Sequence, residues 1–238
     1  MRVDPQLILL PGLDGTPILF GPILERLDYG AITVAYPNTL PSDYDTLLPI
    51  VLAALPKERD FVLLGWSFSG PLALMAAATR PPGLRGVILC ASFVRKPLAF
   101  VPRFARHFAK PFLFSVSGSM SVAKTVLAGF GNPEVNRLIK EAHKAVSSRV
   151  MASRVRQVLA VDVRPELGAC PVPILYLEAA SDRIVPARNR REICRIRPDV
   201  TVKLIPGPHL ALALSPDEGA AELSAFIERS MCARLPVE

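Results

Sequence analysis

The 238-residue chain is long enough for one large domain and too short for two independent enzyme-sized ones. Half its residues are apolar and 21% are charged, a balance that supports a buried core and excludes disordered or collagen-like classes. Lys and Arg (28) exceed Asp and Glu (21), and the resulting +7 admits an acidic partner without by itself implying nucleic acid.

Short apolar runs recur along the chain at 6–10, 32–36, 61–64, 86–91, 174–177 and 200–205. Runs of this length without polar alternation suit strands covered on both faces, as in a parallel sheet. Helical patterns follow at about 43–55, 68–79, 187–195 and 216–229. The last starts on Ser215, with Pro216 at the first position and Glu218 completing an S-x-x-E box. Strand–helix alternation of this kind predicts an α/β doubly wound sheet of about six strands, mostly parallel.

One stretch breaks the rhythm. Between Phe93 and Val172 only helical patterns occur, divided by Pro102, Pro111, Gly118, Gly129, Gly131 and Pro133. This reads as an α-helical cap (95–169) inserted after the fourth strand into a core of 1–94 and 170–238. Thirteen basic residues face three acidic ones between Arg95 and Arg164, so the segment carries +10 and the rest of the chain −3. Phe100, Phe104, Phe108 and Phe112 recur at spacing four, opposite Arg103, Arg106, His107 and Lys110. Pro111 must kink that helix. The stripe reads as the cap's own core against the sheet, with an acyl pocket lined by Phe104, Phe108, Phe112 and Trp66 as the sharper alternative.

Cys90, Cys170, Cys194 and Cys232 form no C-x-x-C pair and no metal-ligand spacing with the three histidines. The run 6–10 is too short for a signal peptide before Pro11 and Gly12 interrupt it, and none approaches the ~18 apolar residues a bilayer span needs. The expectation is a reduced, cytoplasmic protein with no membrane span, metal or cofactor. There is no phosphate-binding G-x-x-x-x-G-K-[ST] and no G-x-G-x-x-G after the first strand.

The chemistry concentrates in Gly65-Trp66-Ser67-Phe68-Ser69-Gly70, between a strand and a helix. A nucleophile on so tight a turn needs small neighbours, which Gly65 and Gly70 supply. The Ser67 hydroxyl would project above the carboxyl edge of the sheet, where open α/β sheets bind ligands. Such a serine needs a base. His107 and His143 lie among cationic residues of the cap, where a solvated helix face is the plainer role. His209, in Pro206-Gly207-Pro208-His209, follows the last strand; its imidazole could accept the serine proton and return it.

The motif resembles the G-x-S-x-G nucleophile elbow of the α/β-hydrolase superfamily, with Ser69 where its second glycine usually stands. The resemblance implies the order Ser67, then an acid, then His209 on the loop where that superfamily carries its histidine. It implies Asp182 as the acid, because Asp182-Arg183-Ile184-Val185-Pro186 is similar to the family's segment after the preceding strand; Glu178 competes from the strand end, and Asp182 could instead cap the next helix. Leu10-Pro11-Gly12-Leu13-Asp14-Gly15 is similar to the family's Gly-rich loop after the first strand, with Pro11 in place of histidine. That implies an oxyanion hole of the Leu13 and Phe68 N–H groups, with Asp14 as a turn former.

A serine nucleophile disfavours the dehalogenase and epoxide hydrolase branches, which use aspartate. The expected activity is serine hydrolysis of small-molecule carboxylic esters with small or medium acyl groups, through an acyl-serine. The alternatives are a thioesterase or carrier-protein esterase, or a non-hydrolytic receptor of the same fold. The elbow is also similar to that of the carrier-protein methyl ester esterases of biotin synthesis, which raises an acidic acyl carrier protein at the basic cap as a partner.

Overall fold

In a computed structural model, which describes residues 6–97 and 132–232, six strands form one parallel sheet. Strands β1 (Gln6–Leu10), β2 (Ala31–Thr33), β3 (Phe61–Trp66), β4 (Leu84–Cys90), β5 (Ile174–Ala179) and β6 (Thr201–Ile205) stand in the order β2-β1-β3-β4-β5-β6. The helices are α1 (Gly21–Leu24), α2 (Tyr44–Ala54), α3 (Gly70–Ala78), α4 (Pro133–Ala145), α5 (Ser148–Ala160), α6 (Arg164–Ala169), α7 (Arg188–Ile196), α8 (Ala211–Leu214) and α9 (Pro216–Cys232).

The apolar runs form strands because both faces of the sheet are covered. Ile8, Leu10, Leu63 and Leu89 meet Leu47 and Val51 of α2, Leu72 of α3 and Ile193 of α7 on one face. Leu7, Leu9, Leu64 and Ile88 meet Ile23 of α1 and Leu223, Phe226 and Ile227 of α9 on the other. The doubly wound α/β expectation therefore holds. The chain leaves β1 for β2 on one side, then crosses back to β3 and continues outward on the other. The reversal lies between β1 and β3, where Leu10 stands opposite Gly65, so the loops leaving both strands emerge side by side.

Two differences from the sequence reading matter for the site. The second strand ends at Thr33, not at residue 36, because the chain leaves the sheet to cover the loop after β1: the Tyr36 N–H donates to the Gly15 carbonyl at 2.8 Å. Within the insert the structure describes α4 and α5, capped by Asn132 and Ser147. Helix α6, placed in the cap by sequence, instead buries Leu167 in the same core as α3. The phenylalanines 100, 104, 108 and 112 lie outside the described residues. Among the described residues no helix is long and apolar enough to cross a membrane.

Candidate active site

The chain turns from β3 into α3 through a single 3-10 turn, Ser67–Ser69. Ser67 takes φ +49°, a left-handed conformation costly for a side chain and held only where its surroundings enforce it. They do so here by close packing. A Cβ on Gly65 would run into the Ser69 carbonyl and sit 2.8 Å from the Gly70 Cα, so strand and helix approach too closely for any residue but glycine. The Ser92 hydroxyl donates to the Ser67 carbonyl at 2.6 Å, and Tyr44 donates to the Phe68 carbonyl at 3.0 Å. Phe68 itself is stacked on Tyr44, 4.8 Å between ring centroids.

The loops after β5 and β6 bring two more groups to this hydroxyl. His209 Nε2 lies 2.8 Å from Ser67 Oγ, and His209 Nδ1 lies 2.7 Å from Asp182 Oδ2. The second Asp182 oxygen accepts the Ile184 and Val185 N–H groups at 2.8 and 2.9 Å. A carboxylate so placed accepts a hydrogen bond from the Nδ1–H, which leaves Nε2 as the acceptor for the serine hydroxyl. Both side chains are almost wholly buried. The histidine loop is fastened from both ends: the Ser181 N–H donates to the Gly207 carbonyl at 2.9 Å, and the Ser215 hydroxyl to the Pro206 carbonyl at 3.0 Å. Ser215, read from sequence as a helix cap, thus spends its hydroxyl on that loop.

Glu178, the competing acid, forms an ion pair with Arg190 at 2.8 Å, and it is Asp182 that bonds the histidine. His143 lies on α4, outside this arrangement, and His107 is not among the described residues. Asp14 accepts from the Thr16 N–H and hydroxyl and shapes the turn after β1; burial raises its carboxyl above the ordinary range. Among the described residues no cluster of three His, Cys, Asp or Glu could hold a metal. Trp66 directs its ring into the core against Phe20, 5.3 Å between centroids, and is 2% exposed. It therefore supports the floor of the site, and an acyl pocket lined by this ring is not what the packing presents.

The loop after β1 stands beside the elbow, and a 3-10 turn starting at Ser67 leaves the Phe68 N–H without an acceptor inside the turn. Its surroundings contain residues that sequence reading missed. The Ser69 hydroxyl, at the departure from the family glycine, donates to the Pro11 carbonyl and lies 2.7 Å from the Tyr36 hydroxyl. Arg154 of α5, counted by sequence among the cap's basic surface, is wholly buried and bonds the Leu13, Asp14 and Pro37 carbonyls.

Comparison with known proteins adds to this geometry. A family model described as "Alpha/beta hydrolase family" matches residues 7–222. A pimeloyl-[acyl-carrier protein] methyl ester esterase of Aliivibrio salmonicida is 26% identical over 94% of this chain and 92% of its own length. One of Stenotrophomonas maltophilia is 27% identical over 94% and 93%. Among solved structures, a thermophilic esterase from Thermogutta terrifontis superposes with a TM-score of 0.81 at 16% identity, covering 96% of this chain and 91% of the other.

Proposed function

The chain belongs to the alpha/beta hydrolase family, and we propose on that premise that Ser67 is the nucleophile with which it hydrolyses carboxylic esters. The observation that carries the reading is the hydrogen-bonded line Ser67–His209–Asp182, at 2.8 and 2.7 Å. Ser67 Oγ attacks the ester carbonyl carbon while its proton passes to His209 Nε2, and Asp182 stabilises the imidazolium. The Phe68 and Leu13 N–H groups receive the oxyanion. His209 then gives the proton to the leaving alkoxide, and the acyl-serine is released by a water that the same imidazole deprotonates.

A fluorophosphonate probe tests the assignment. It should label the native protein and leave Ser67→Ala unlabelled; equal labelling of both, or of neither, would remove Ser67 from the mechanism. Hydrolysis should also fall on acidification, since an imidazolium cannot accept the serine proton.

A second reading, hydrolysis of an ester or thioester carried on an acidic acyl carrier protein, is favoured by the +7 charge and by the relatives named as carrier-protein methyl ester esterases. Lys140 and Lys144 of α4 and Arg149 of α5 are exposed cations of the basic segment and would meet such a partner. Reversing these three charges should raise KM for a carrier-bound ester and leave p-nitrophenyl ester hydrolysis unchanged. An unchanged KM would dismiss the carrier. The four cysteines are free thiols, which suits a reducing cytoplasm.

A further inference from the structure

Helix α5 presents Val150, Ala152, Ser153 and Arg154 to the interior, and an arginine on that face is the one residue its amphipathic pattern does not account for. Burying a guanidinium is costly unless its donors are satisfied, and burial pulls this one below the ordinary arginine range. Among the described residues its acceptors are all backbone, they engage both Nη groups, and Nε has none. Nη1 donates to the Leu13 carbonyl at 3.0 Å and the Asp14 carbonyl at 2.7 Å, and Nη2 to the Pro37 carbonyl at 2.8 Å. The same group lies over the Tyr36 ring, 5.6 Å from its centroid.

The loop is built around this cation. Gly15 has φ +72°, and a Cβ there would overlap the guanidinium, with Cζ at 2.8 Å. Five successive carbonyls are then engaged. Pro11 accepts from the Ser69 hydroxyl and Gly12 from the Gly15 N–H at 3.0 Å. Leu13 and Asp14 accept from Arg154, and Gly15 accepts from the Tyr36 N–H at 2.8 Å. Ser69 has one proton and uses it on Pro11, so the Tyr36 hydroxyl must donate to Ser69.

Because a trans peptide sets its N–H opposite its C=O, fixing these planes also fixes where the Leu13 N–H points. We infer that Arg154 is a positioning residue which, from the helical insert, pre-orients the oxyanion loop for the reaction. The inference rests on the ester-hydrolase reading above. It adds that the insert builds part of the catalytic geometry.

The test uses Arg154→Ala and Arg154→Lys, with Gln157→Ala on the same helix as a control. For a p-nitrophenyl ester, kcat should fall about 10- to 100-fold in Arg154→Ala with KM nearly unchanged, the pattern of a transition-state interaction weakened. Lysine should recover only part of the rate, because one ammonium cannot bridge both loops. Millimolar guanidinium should restore kcat in Arg154→Ala, and ammonium should not. A wild-type kcat in folded Arg154→Ala would overturn the inference. So would a loss, including one through misfolding of both variants, that guanidinium does not recover. Phosphonate labelling separates the two readings: an unlabelled wild type sinks the hydrolase assignment, whereas a labelled wild type with an equally fast Arg154→Ala sinks only the role of Arg154.

Discussion

Ser67 follows Trp66 at the end of β3 directly, Asp182 stands just past β5, and His209 just past β6. Each is aimed first by the strand beneath it, and bonds from neighbouring segments, such as Ser92 to the Ser67 carbonyl and Ser181 to the Gly207 carbonyl, secure its short loop. The Leu13 loop also follows a strand, yet it is secured by Ser69, Tyr36 and Arg154, separated from it by tens of residues or more. The nucleophile side is thus fixed by local chain geometry, and the oxyanion side by side chains gathered through folding. Damage on the first side should stop the chemistry; damage on the second should slow it and loosen the fold.

The largest effects test the first side. Ser67→Ala and His209→Ala should each lower kcat by about 10⁴-fold or more, and the double variant should lose little beyond either alone, since the two act as a unit. Steady-state rates on one p-nitrophenyl ester decide this; multiplying losses would mean the two groups act separately. Asp182→Asn comes next, at about 10³- to 10⁴-fold, because an amide at that position favours the wrong imidazole tautomer. A loss under tenfold would show that the Ile184 and Val185 amides, not the histidine, are the carboxylate's purpose.

The same contrast explains what the sequence disclosed. Gly65-Trp66-Ser67-Phe68-Ser69-Gly70, Asp182 and His209 sit at strand ends, and short-range signals mark strand ends: an apolar run, then small or turn-forming residues. Five of the six strands are therefore legible to within two residues at either end, and β2 to within three. Arg154 is not, because a charged residue in a helical pattern defaults to solvent, and its acceptors lie more than a hundred residues away. Ser69 was seen only as a replaced glycine. Its hydroxyl acquires meaning only when β1 and β3 pair and bring Pro11 within reach. Tyr36 was assigned to a strand because its run is apolar, although its N–H leaves the sheet to hold Gly15.

The second side is probed by Ser69→Ala beside Tyr36→Phe. Burial keeps the Tyr36 phenol protonated well above the ordinary range, so it remains a donor throughout. Ser69→Ala releases the Pro11 carbonyl and strands that phenol without an acceptor, which should cost about 1–3 kcal/mol of stability and lower kcat several-fold. Tyr36→Phe removes the donor and leaves the Ser69–Pro11 bond intact, so it should cost less and spare kcat. Urea unfolding and steady-state rates report both quantities. Equal effects on kcat would break the idea that the bond to Pro11, more than the phenol, holds the loop.

The smallest effect is expected where a helix supports the elbow from outside. Asp43 caps α2 by accepting the Thr46 N–H at 2.9 Å, and that first turn carries Tyr44, whose hydroxyl bonds the Phe68 carbonyl. Asp43→Ala should cost about 1 kcal/mol of stability and leave kcat unchanged, because the elbow is already constrained by its own backbone. The Thr46 amide and hydroxyl hold the Asp43 carboxyl below its ordinary value. Its contribution is therefore complete above the pKa of the unfolded chain and fades as pH falls through the lowered folded value. Wild type and variant should differ at neutral pH and converge in acid. A variant that loses kcat at neutral pH would instead make the elbow depend on α2, and the nucleophile side would prove no more self-contained than the oxyanion side.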